Sequence, residues 1–397
     1  MKVAERIGSI KPSLTMAVDT KAKAMEKAGL DVVSFGIGEP DFDTPDHIKE
    51  AAVQALRDGF TKYTAVNGID ELREAIAFRF QEDLGLSYGL DEIVVTCGGK
   101  HALYNIAMAL WGPGDKVIVP APYWVSYPPM ILLAGAAPVI LPTQAENGFK
   151  MTPEELRAVL RPETKAIILN SPSNPTGSVY SKKELEALGK VILDHDLMVI
   201  SDDIYDKILF DAPAFCNLAM LDPRFKERTI VVNGVSKTYS MTGWRIGYLA
   251  GPKPVIGAIN KVQSHSTSNP TSMSQKAAVA ALKGPQDFVK MMVSEFDRRR
   301  RMISQRLKAI SGVKLFDPQG AFYVFPDFSA YYGKKAGDRL ITGSVDLADY
   351  LLEKALIAVV PGAAFGEERC LRFSYATSGE QIERGLDRLE KGLHELS

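Results

Sequence analysis

Residues 229–250, TIVVNGVSKTYSMTGWRIGYLA, contain the strongest structural signal in this chain. Two apolar runs, TIVVNG (229–234) and RIGYLA (245–250), flank a polar turn that holds Lys237. Similar runs rich in Val and Ile occur earlier, namely EIVVTC (92–97), KVIVP (116–120), KAIILN (165–170) and LMVIS (197–201). Helical patterns such as 101–111 and 182–195 separate several of them. Strands of this composition that alternate with helices predict an α/β fold with a largely parallel sheet covered on both faces.

The pattern changes towards the C-terminus. A long helical stretch from about 253 to 310 is followed by a mixed region, which contains AFYVF (321–325), a helix near 345–355, IAVV (357–360), CLRFS (370–374) and a terminal helix. This change predicts a second, smaller α+β unit. We therefore expect a large domain over residues 46–290 and a small α+β domain made of residues 1–45 and 291–397.

Composition excludes several classes of protein. The chain has 397 residues, of which 46% are hydrophobic and 24% charged, so a large buried core is expected rather than disorder. The 47 basic and 48 acidic residues nearly cancel, which argues against binding to nucleic acid or to an anionic membrane. Three widely spaced cysteines and five scattered histidines predict neither a disulfide framework nor a metal site.

One uncharged stretch imitates a membrane span. Residues 117–145 carry no charge, but this part of the chain contains Pro120, Pro122, Pro128, Pro129, Pro138 and Pro142. Prolines at this density exclude a spanning helix, so we expect two buried strands joined by a turn and a short helix. The charged N-terminus, MKVAERIGSIKPSL, lacks the apolar run of a signal peptide. A cytoplasmic location is the expectation.

Polar residues follow several of the predicted strands, where α/β sheets bind ligands. Lys237 follows TIVVNG; a lone lysine there is more often a solvated one, but a partly desolvated lysine can form a Schiff base. Asp202 follows LMVIS and is suited either to cap a helix or to keep a pyridinium nitrogen protonated. Tyr205, three residues on, can donate a hydrogen bond to the same ring.

Three further motifs have both a structural and a functional interpretation. Asn174 lies in NPTG, which is by itself a good turn. Gly99 and Lys100 open a predicted helix, whose backbone amides suit a phosphate. Arg372 lies in the strand CLRFS and requires a partner if buried; a structural salt bridge and a bound carboxylate are equally possible.

The chain resembles the class I pyridoxal-phosphate aminotransferases, and specifically their bacterial aspartate aminotransferase subgroup. The resemblance lies in eleven motifs in family order: KPSLTMAV (11–18), GIGEPDFDTP (36–45), KYTAVNGIDELREA (62–75), TCGGKHAL (96–103), PYWVSYP (122–128), NSPSNPTG (170–177), SDDIYDKI (201–208), SKTYSMTGWRIGY (236–248), GAFYVF (320–325), VVPGAAFG (359–366) and LRFSYATS (371–378). It implies the fold type I of pyridoxal-phosphate transferases and pyridoxal 5'-phosphate as the cofactor. It also implies a homodimer with shared active sites, acting on amino acids and 2-oxo acids in a ping-pong cycle.

The resemblance also implies roles around the cofactor. Lys237 matches the lysine that binds the cofactor and moves the substrate's Cα proton, and Asp202 matches the partner of the pyridine nitrogen. Asn174 and Tyr205 match the pair on the phenolic oxygen. Trp124 matches the aromatic residue that stacks on the ring, where a buried core aromatic is the alternative.

The cofactor's phosphate and the substrate are matched as well. Arg245 and the backbone of Gly99 and Lys100 correspond to phosphate contacts. Tyr63 corresponds to a tyrosine that reaches the phosphate of the neighbouring subunit; burial in its own chain is the alternative. In the family the substrate's α-carboxylate is held by the residue matching Arg372, with Gly38, Asn174 and Trp124 nearby. Its distal carboxylate is held by those matching Lys100 and Thr15, although a surface lysine at a helix start is the simpler interpretation of Lys100.

Two positions depart from the family pattern. Gly234 replaces a hydroxyl residue that many relatives have, so one phosphate hydrogen bond is expected to be missing. Asp203 stands where Glu is common. The run Arg298–Arg301, flanked by Glu295 and Asp297, is interpreted as a solvated helix surface rather than a nucleic-acid patch.

The expected reaction is transfer of the amino group of L-aspartate, and of glutamate, to a 2-oxo acid, with prephenate left open as a further substrate. The alternatives within enzymes are an aminotransferase for aromatic or other amino acids and a pyridoxal-phosphate lyase of the same fold. A remote alternative is a non-catalytic ligand sensor of a transcription regulator. It is disfavoured because family-like sequence begins near residue 11.

Overall fold

The structure is a computed structural model that describes residues 3–211 and 214–397. Strands occur in two groups, a long central series and several short pairs. In chain order they are β1 Val33–Ser34, β2 Ile93–Thr96, β3 Lys116–Ala121, β4 Ala137–Pro142, β5 Thr164–Asn170, β6 Met198–Asp202, β7 Thr229–Gly234, β8 Gly247–Ala250, β9 Tyr323–Val324, β10 Lys335–Ala336, β11 Arg339–Leu340, β12 Ile357–Ala358, β13 Val360–Pro361 and β14 Leu371–Ser374.

Helices surround these strands, and several begin with capping side chains. They are α1 Glu5–Gly8, α2 Leu14–Lys27, α3 Asp46–Arg57, α4 Asp70–Leu84, α5 Gly99–Leu110, α6 Tyr127–Leu133, α7 Pro153–Val159, α8 Lys182–Asp194, α9 Pro223–Lys226, α10 Lys253–Ser264, α11 Ser272–Lys283, α12 Asp287–Ala309, α13 Ser344–Lys354 and α14 Gly379–His394. Helix α8, for example, begins with a capping box of Ser181 and Glu184.

The central sheet has seven strands in the order β2-β8-β7-β6-β5-β3-β4. All neighbouring pairs are parallel except those of β8, which is antiparallel to both β2 and β7. Strands β2, β7 and β8 are buried along their whole length, because helices cover both faces. The expected fold is confirmed: a mostly parallel sheet whose carboxyl ends share one edge.

The uncharged stretch 117–145 forms strands and a short helix as predicted. Strand β3 is interior, α6 follows, and β4 returns at the edge of the sheet. The expectation that β4 is buried is wrong, because only Leu141 of that strand is buried and an edge strand has one partner fewer. Across residues 3–211 and 214–397, no helix combines the length and the apolarity needed to cross a membrane. Cys97, Cys216 and Cys370 are free thiols.

A second core lies outside the central sheet. It is built mainly from residues 288 onward together with Val33 and Phe35. Strand β1 pairs in parallel with β12, and β13, β14 and β9 form an antiparallel sheet. Helix α12 links the two cores, since Val289 packs into the core of the large sheet and Met292 into the second one. The domain boundaries near 45 and 290 stay a prediction.

The expectation for Arg298–Arg301 is wrong for half of the run. The side chains of Arg298 and Arg301 are solvated, but Arg299 and Arg300 are buried, with 6% and 8% of their surface exposed. Each buried guanidinium is paired with one acid of α12 and with one distant aspartate. Four consecutive helical residues point in different directions around the helix, and Arg299 and Arg300 are the two that face the protein.

Candidate functional site

A cleft of about 1660 Å³ opens at the carboxyl-end edge of the central sheet. The loops after β2, β3, β5, β6 and β7 border it, and so do residues 9–16, residues 36–39 and part of the second core. Nearly all the residues expected from the sequence line it, namely Thr15, Gly38, Gly99, Lys100, Trp124, Asn174, Asp202, Tyr205, Lys237, Arg245 and Arg372. Residues spread from position 15 to position 372 thus share one cavity.

Lys237 lies in the cleft, in the turn that follows β7 and three residues after Gly234. Its Nζ donates a hydrogen bond of 2.5 Å to the carbonyl oxygen of Gly38. Desolvation lowers the pKa of Lys237 to about 8, with smaller lowering effects from Arg245 and Arg372, while the carboxylate of Glu39 acts in the opposite direction. Near neutral pH the neutral, nucleophilic form of this amine is therefore much more populated than in an ordinary lysine.

Asp202 ends strand β6 and is almost fully buried. Tyr127 donates to its Oδ2 at 2.6 Å, and the side chain of Asn170 donates to its backbone carbonyl at 2.8 Å. Burial raises the pKa of Asp202 to about 6, although the Tyr127 hydrogen bond acts against this. Asp202 is followed by a turn rather than a helix, so the helix-cap interpretation is wrong. Its carboxylate is held in place and faces the cleft.

The first turn of α5 forms a backbone cradle. Gly98 precedes it with φ +88°, and a Cβ there would collide with the guanidinium of Arg245. A Cβ on Gly247 would collide with the backbone of Gly98 and Gly99. Arg245 itself has φ +55° and donates to the carbonyl of Thr242 at 2.6 Å. Glycines thus bring a helix N-terminus and an arginine together, which suits a phosphate.

Arg372 in β14 is buried but has no acidic partner among the described residues. Nη1 donates to the Asn174 Oδ1 at 3.1 Å and Nη2 to the carbonyl of Gly36 at 2.7 Å. The rings of Tyr323 and Phe365 lie 4.6 and 5.1 Å from its guanidinium carbon. Nε of Arg372 has no hydrogen-bond partner within the described chain. The alternative of a structural salt bridge is therefore wrong, and the arginine can accept a carboxylate from the cleft.

Two tyrosines and a tryptophan complete the walls. Tyr205 is buried and shares a hydrogen bond of 2.8 Å with the hydroxyl of Tyr323. Trp124 is half-buried and packs edge-on against Tyr127, with ring centroids 5.3 Å apart. Because Trp124 also borders the cleft, the interpretation as a purely structural core aromatic is wrong.

Lys100 and Thr15 stand on the outer part of the cleft. The Nζ of Lys100 lies 5.0 Å from the centroid of the Trp124 ring, so its side chain extends towards the cavity. Partial desolvation, aided by Arg245, lowers the pKa of Lys100. Thr15 lies in the first turn of α2, with its hydroxyl 2.8 Å from that of Ser13. Lys100 is thus an exposed lysine in the first turn of α5 whose side chain also borders the cavity, so its position fits both the surface interpretation and the functional one.

Tyr63 is set apart from this cleft. Its side chain is 92% exposed, the largest exposed fraction of any large hydrophobic residue in the described chain, and it does not line the cavity. The alternative of burial in its own chain is therefore wrong. The loop around it is firmly held, since Gln275 accepts from the amide of Ile69 and Gln263 donates to the carbonyl of Val66.

Comparison with known proteins decides the family. The model of the family "Aminotransferase class I and II" matches residues 30–389. The chain belongs to the class I and II aminotransferases. Similar relatives include a probable aspartate/prephenate aminotransferase of Rickettsia felis, 48% identical over 100% of this chain and 97% of the relative. An aspartate aminotransferase of Geobacillus stearothermophilus is 46% identical over 98% of both chains.

Solved structures agree with this assignment. The aspartate aminotransferase of Rhizobium meliloti superposes with a TM-score of 0.97 at 45% identity, covering 100% of both chains. That of Thermus thermophilus with maleate has a TM-score of 0.93 at 43% identity, covering 99% of this chain and 100% of the other. The fold is therefore that of fold type I, and the protein is an aminotransferase of a pyridoxal-phosphate-dependent family.

Two residues of this aminotransferase's site were missed from the sequence. Tyr127 holds Asp202, and Tyr323 contacts both Tyr205 and Arg372. Tyr127 stands three residues after Trp124 at the start of a helix, and that spacing is a usable signal. Tyr323 lies in a two-residue strand among other aromatic residues, and nothing in its local pattern separates it from the core.

Proposed function

We propose that this aminotransferase transfers the amino group of L-aspartate, and of glutamate, to a 2-oxo acid with pyridoxal 5'-phosphate as its cofactor. The observation that carries the proposal is the buried guanidinium of Arg372, which lines the same cleft as Lys237 and has no acidic partner in the described chain. Burying a cation without an anion destabilises the folded protein. The α-carboxylate of an amino acid would neutralise the guanidinium and accept two hydrogen bonds from it.

The residues of the cleft fit the cofactor. When bound, pyridoxal phosphate supplies an electron-withdrawing ring that weakens the Cα–H bond of an amino acid. The backbone cradle at Gly98 and Gly99, with Arg245, suits its phosphate. Asp202 suits a protonated ring nitrogen, and Asn174 and Tyr205 would contact the phenolic oxygen. These three groups of residues lie at different places around one cavity, as the phosphate, the ring nitrogen and the phenolic oxygen lie at different places on the cofactor.

Lys237 would both attach the cofactor and transfer the Cα proton of the substrate. Its lowered pKa makes Nζ available as a nucleophile and then as a base for the Cα proton of the substrate. Gly38 O accepts a hydrogen bond from Nζ and so fixes its position between steps. The rings of Trp124, Tyr205 and Tyr323 line the cleft and would limit the access of water to the reacting Cα–H bond.

The preference for dicarboxylic substrates rests on Lys100 and Thr15. A substrate carboxylate held by Arg372 leaves the far end of aspartate free to meet a second cation, and Lys100 extends towards this cavity. The Geobacillus relative is named an aspartate aminotransferase, and the Thermus structure is described with maleate, which is a dicarboxylate. Both names support the proposal without establishing it for this chain.

A panel of amino acids tests the substrate class. The pyridoxal form would be mixed with L-aspartate, L-glutamate, L-alanine and L-phenylalanine in turn, and the loss of the absorbance of this form followed in a single half-reaction. We expect aspartate and glutamate to react with much higher kcat/KM than alanine. A preference for phenylalanine would replace this proposal with an aromatic aminotransferase. Loss of the substrate's amino group without formation of the pyridoxamine form would indicate a lyase.

A second substrate is supported by the names of relatives. Several proteins 46–49% identical to this chain are named aspartate/prephenate aminotransferases. Prephenate also carries two carboxylates, so the same two cations would hold it. We propose prephenate as an additional amino acceptor, which is tested by adding it to the pyridoxamine form and following the return of the absorbance of the pyridoxal form. No return would restrict the enzyme to simpler oxo acids.

Assembly is also part of the proposal. The exposed Tyr63 would reach the phosphate of a neighbouring subunit in a homodimer, since it does not line the cleft of its own chain. Exposure of a large aromatic side chain on an ordered loop is typical of an interface residue.

A further inference from the structure

Arg299 of helix α12 is buried between two acids and two aromatic rings. Its Nη1 donates to Asp41 Oδ1 at 2.7 Å and its Nε to Glu295 Oε1 at 2.8 Å. Its guanidinium carbon lies 5.2 Å from the ring centroid of Phe42 and 5.7 Å from that of Phe296. Two of these four contacts belong to neighbouring residues of one loop, so Arg299 ties that loop to α12.

The loop concerned, residues 36–42, is named here the carbonyl segment. Its first residue, Gly36, accepts a hydrogen bond of 2.7 Å from Arg372, and Gly38 accepts one of 2.5 Å from Lys237. A Cβ on Gly38 would lie only 2.7 Å from the hydroxyl of Tyr323, so the backbone passes very close to the site. The segment has no regular secondary structure, and it accepts hydrogen bonds from the side chains of Arg372, Lys237, Thr242 and Arg299.

We propose that Arg299 is a positioning residue, whose ion pair with Asp41 holds the carbonyl segment so that Gly36 and Gly38 present their carbonyls to Arg372 and Lys237. This inference rests on the proposed roles of those two residues. Arg299 itself does not line the cleft. Its effect passes through the backbone from Asp41 to Gly38 and Gly36. Helix α12 joins both cores of the molecule, so the same ion pair fixes the segment relative to both.

Arg300 provides a closely matched control. It is also buried, pairs with Asp297 of its own helix and with the distant Asp211, and lies 5.3 Å from the ring centroid of Phe210. It makes no contact with the carbonyl segment among its recorded hydrogen bonds. Arg300→Met therefore removes the same kind of buried, doubly paired cation from the same helix. Effects common to both arginine variants are those of general stability.

The test uses the full-length protein and two readouts that report the two ends of the segment. Calorimetric binding of maleate to the pyridoxal form reports Arg372, and the pH midpoint for attachment of pyridoxal phosphate to the cofactor-free chain reports Lys237. In Arg299→Met we expect maleate to bind about tenfold more weakly, as for other coupled pairs. The pH midpoint should fall, because Nζ loses an acceptor that stabilises its charged form.

Arg300→Met should change neither the affinity for maleate nor the pH midpoint, even if its melting temperature falls as much as that of Arg299→Met. Equal maleate affinities and equal pH midpoints in the two variants would overturn the proposal. If Arg299→Met fails to fold, Asp41→Asn serves instead, because Asp41 is partly exposed and its amide keeps the shape of the side chain. The Asp41→Asn variant should shift both readouts in the same directions. Unaltered protein that binds maleate no better than acetate would contradict the proposed function, whereas the pH midpoint would still test Arg299.

Discussion

Tyr127 donates a hydrogen bond of 2.6 Å from its hydroxyl to Oδ2 of Asp202, and both residues are almost fully buried. The bond fixes the carboxylate at the end of β6 and stabilises its charged form, which burial alone would disfavour. Desolvation and the neighbouring carboxylate also raise the pKa of Tyr127 well above its usual value, so the phenol remains a donor. With the cofactor bound as proposed, the pair would provide an anionic partner, already in position, for the ring nitrogen.

Replacing this phenol should weaken cofactor binding. In Tyr127→Phe the pKa of Asp202 rises further above about 6, because the carboxylate loses its hydrogen bond. A hydrogen bond to a charged group contributes about 1.5–3 kcal/mol, so the Kd for pyridoxal phosphate should rise roughly 10- to 150-fold. Equilibrium titration of the cofactor-free chain measures it. Tyr180→Phe, which removes another buried phenol that accepts from the amide of Met151, is the control and should leave the Kd unchanged.

The attachment of the cofactor should follow the ionisation of Lys237. Only the neutral amine attacks an aldehyde, and the pKa of Lys237 is about 8. The rate at which pyridoxal phosphate attaches to the cofactor-free chain should therefore rise with pH and level off above about 8. Because Glu39 raises the pKa of Lys237, Glu39→Gln should shift the profile to lower pH. A profile centred near the ordinary lysine value would contradict the burial of this amine. Lys237→Ala should show no attachment at all and no transamination.

Lys100 should discriminate between substrates. Loss of one charge-assisted contact in Lys100→Ala should lower kcat/KM for aspartate and glutamate roughly 10- to 150-fold, while alanine and phenylalanine remain nearly unchanged. Arg372→Lys should instead lower kcat/KM for all four substrates by a similar factor, because every amino acid carries an α-carboxylate. If Lys100→Ala weakens all substrates equally, the lysine serves only the cofactor.

Hybrid dimers should test the role of Tyr63. Subunits with Lys237→Ala are inactive, and subunits with Tyr63→Phe should bind the cofactor weakly. In a mixed dimer, the site with an intact Lys237 receives an intact Tyr63 from its neighbour, so one of the two sites is complete. At limiting cofactor, activity should exceed the sum of the two parent preparations after unfolding and refolding together. A strictly additive mixture, or an active monomer in sedimentation, would show that Tyr63 acts within its own chain or not at all.

Asp203 should make stability depend on pH. Ser201 donates to it at 2.7 Å and Asn217 at 2.6 Å, but burial raises its pKa to about 8. Between about pH 4 and pH 8 the folded state retains a proton that the unfolded state has released, so the free energy of unfolding falls as pH rises. Asp203→Asn cannot ionise and should flatten this slope in urea denaturation at several pH values. Asp206→Asn should flatten it only up to about pH 6, where Asp206 titrates. Equal slopes in all three proteins would contradict the assignment.

The sequence was most informative where chemistry and local pattern coincide. Strands with Val and Ile end at Asn170, Asp202 and Gly234, close to the boundaries expected from the sequence, and the polar residues after them converge as predicted. The start of β8 was placed two residues early, at Arg245 rather than Gly247. Arg245 adopts φ +55° in the turn, a conformation that no apolar pattern reveals.

Features that depend on distant partners were not predictable in the same way. Burial of Arg299 follows from Asp41 and burial of Arg300 from Asp211, and both acids are remote from α12 in the chain. Four arginines in succession were therefore expected to be solvated. The place of Tyr323 in the site was not predictable either, because it depends on contacts with Tyr205 and Arg372 across the junction of the two cores.

The parallel pairing of β1 with β12 has a consequence for biosynthesis. Val33 pairs with Ile357, and Gly36 accepts its hydrogen bond from Arg372, so the amino-terminal strand and loop meet their partners only when the ribosome has nearly completed the chain. The seven central strands, all within residues 93–250, can assemble earlier. Early in synthesis, β1 is an unpaired edge, which is the kind of segment that chaperones protect. A nascent chain halted before residue 357 is therefore expected to have a folded central sheet but not to bind a substrate carboxylate, because Arg372 has not yet been synthesised.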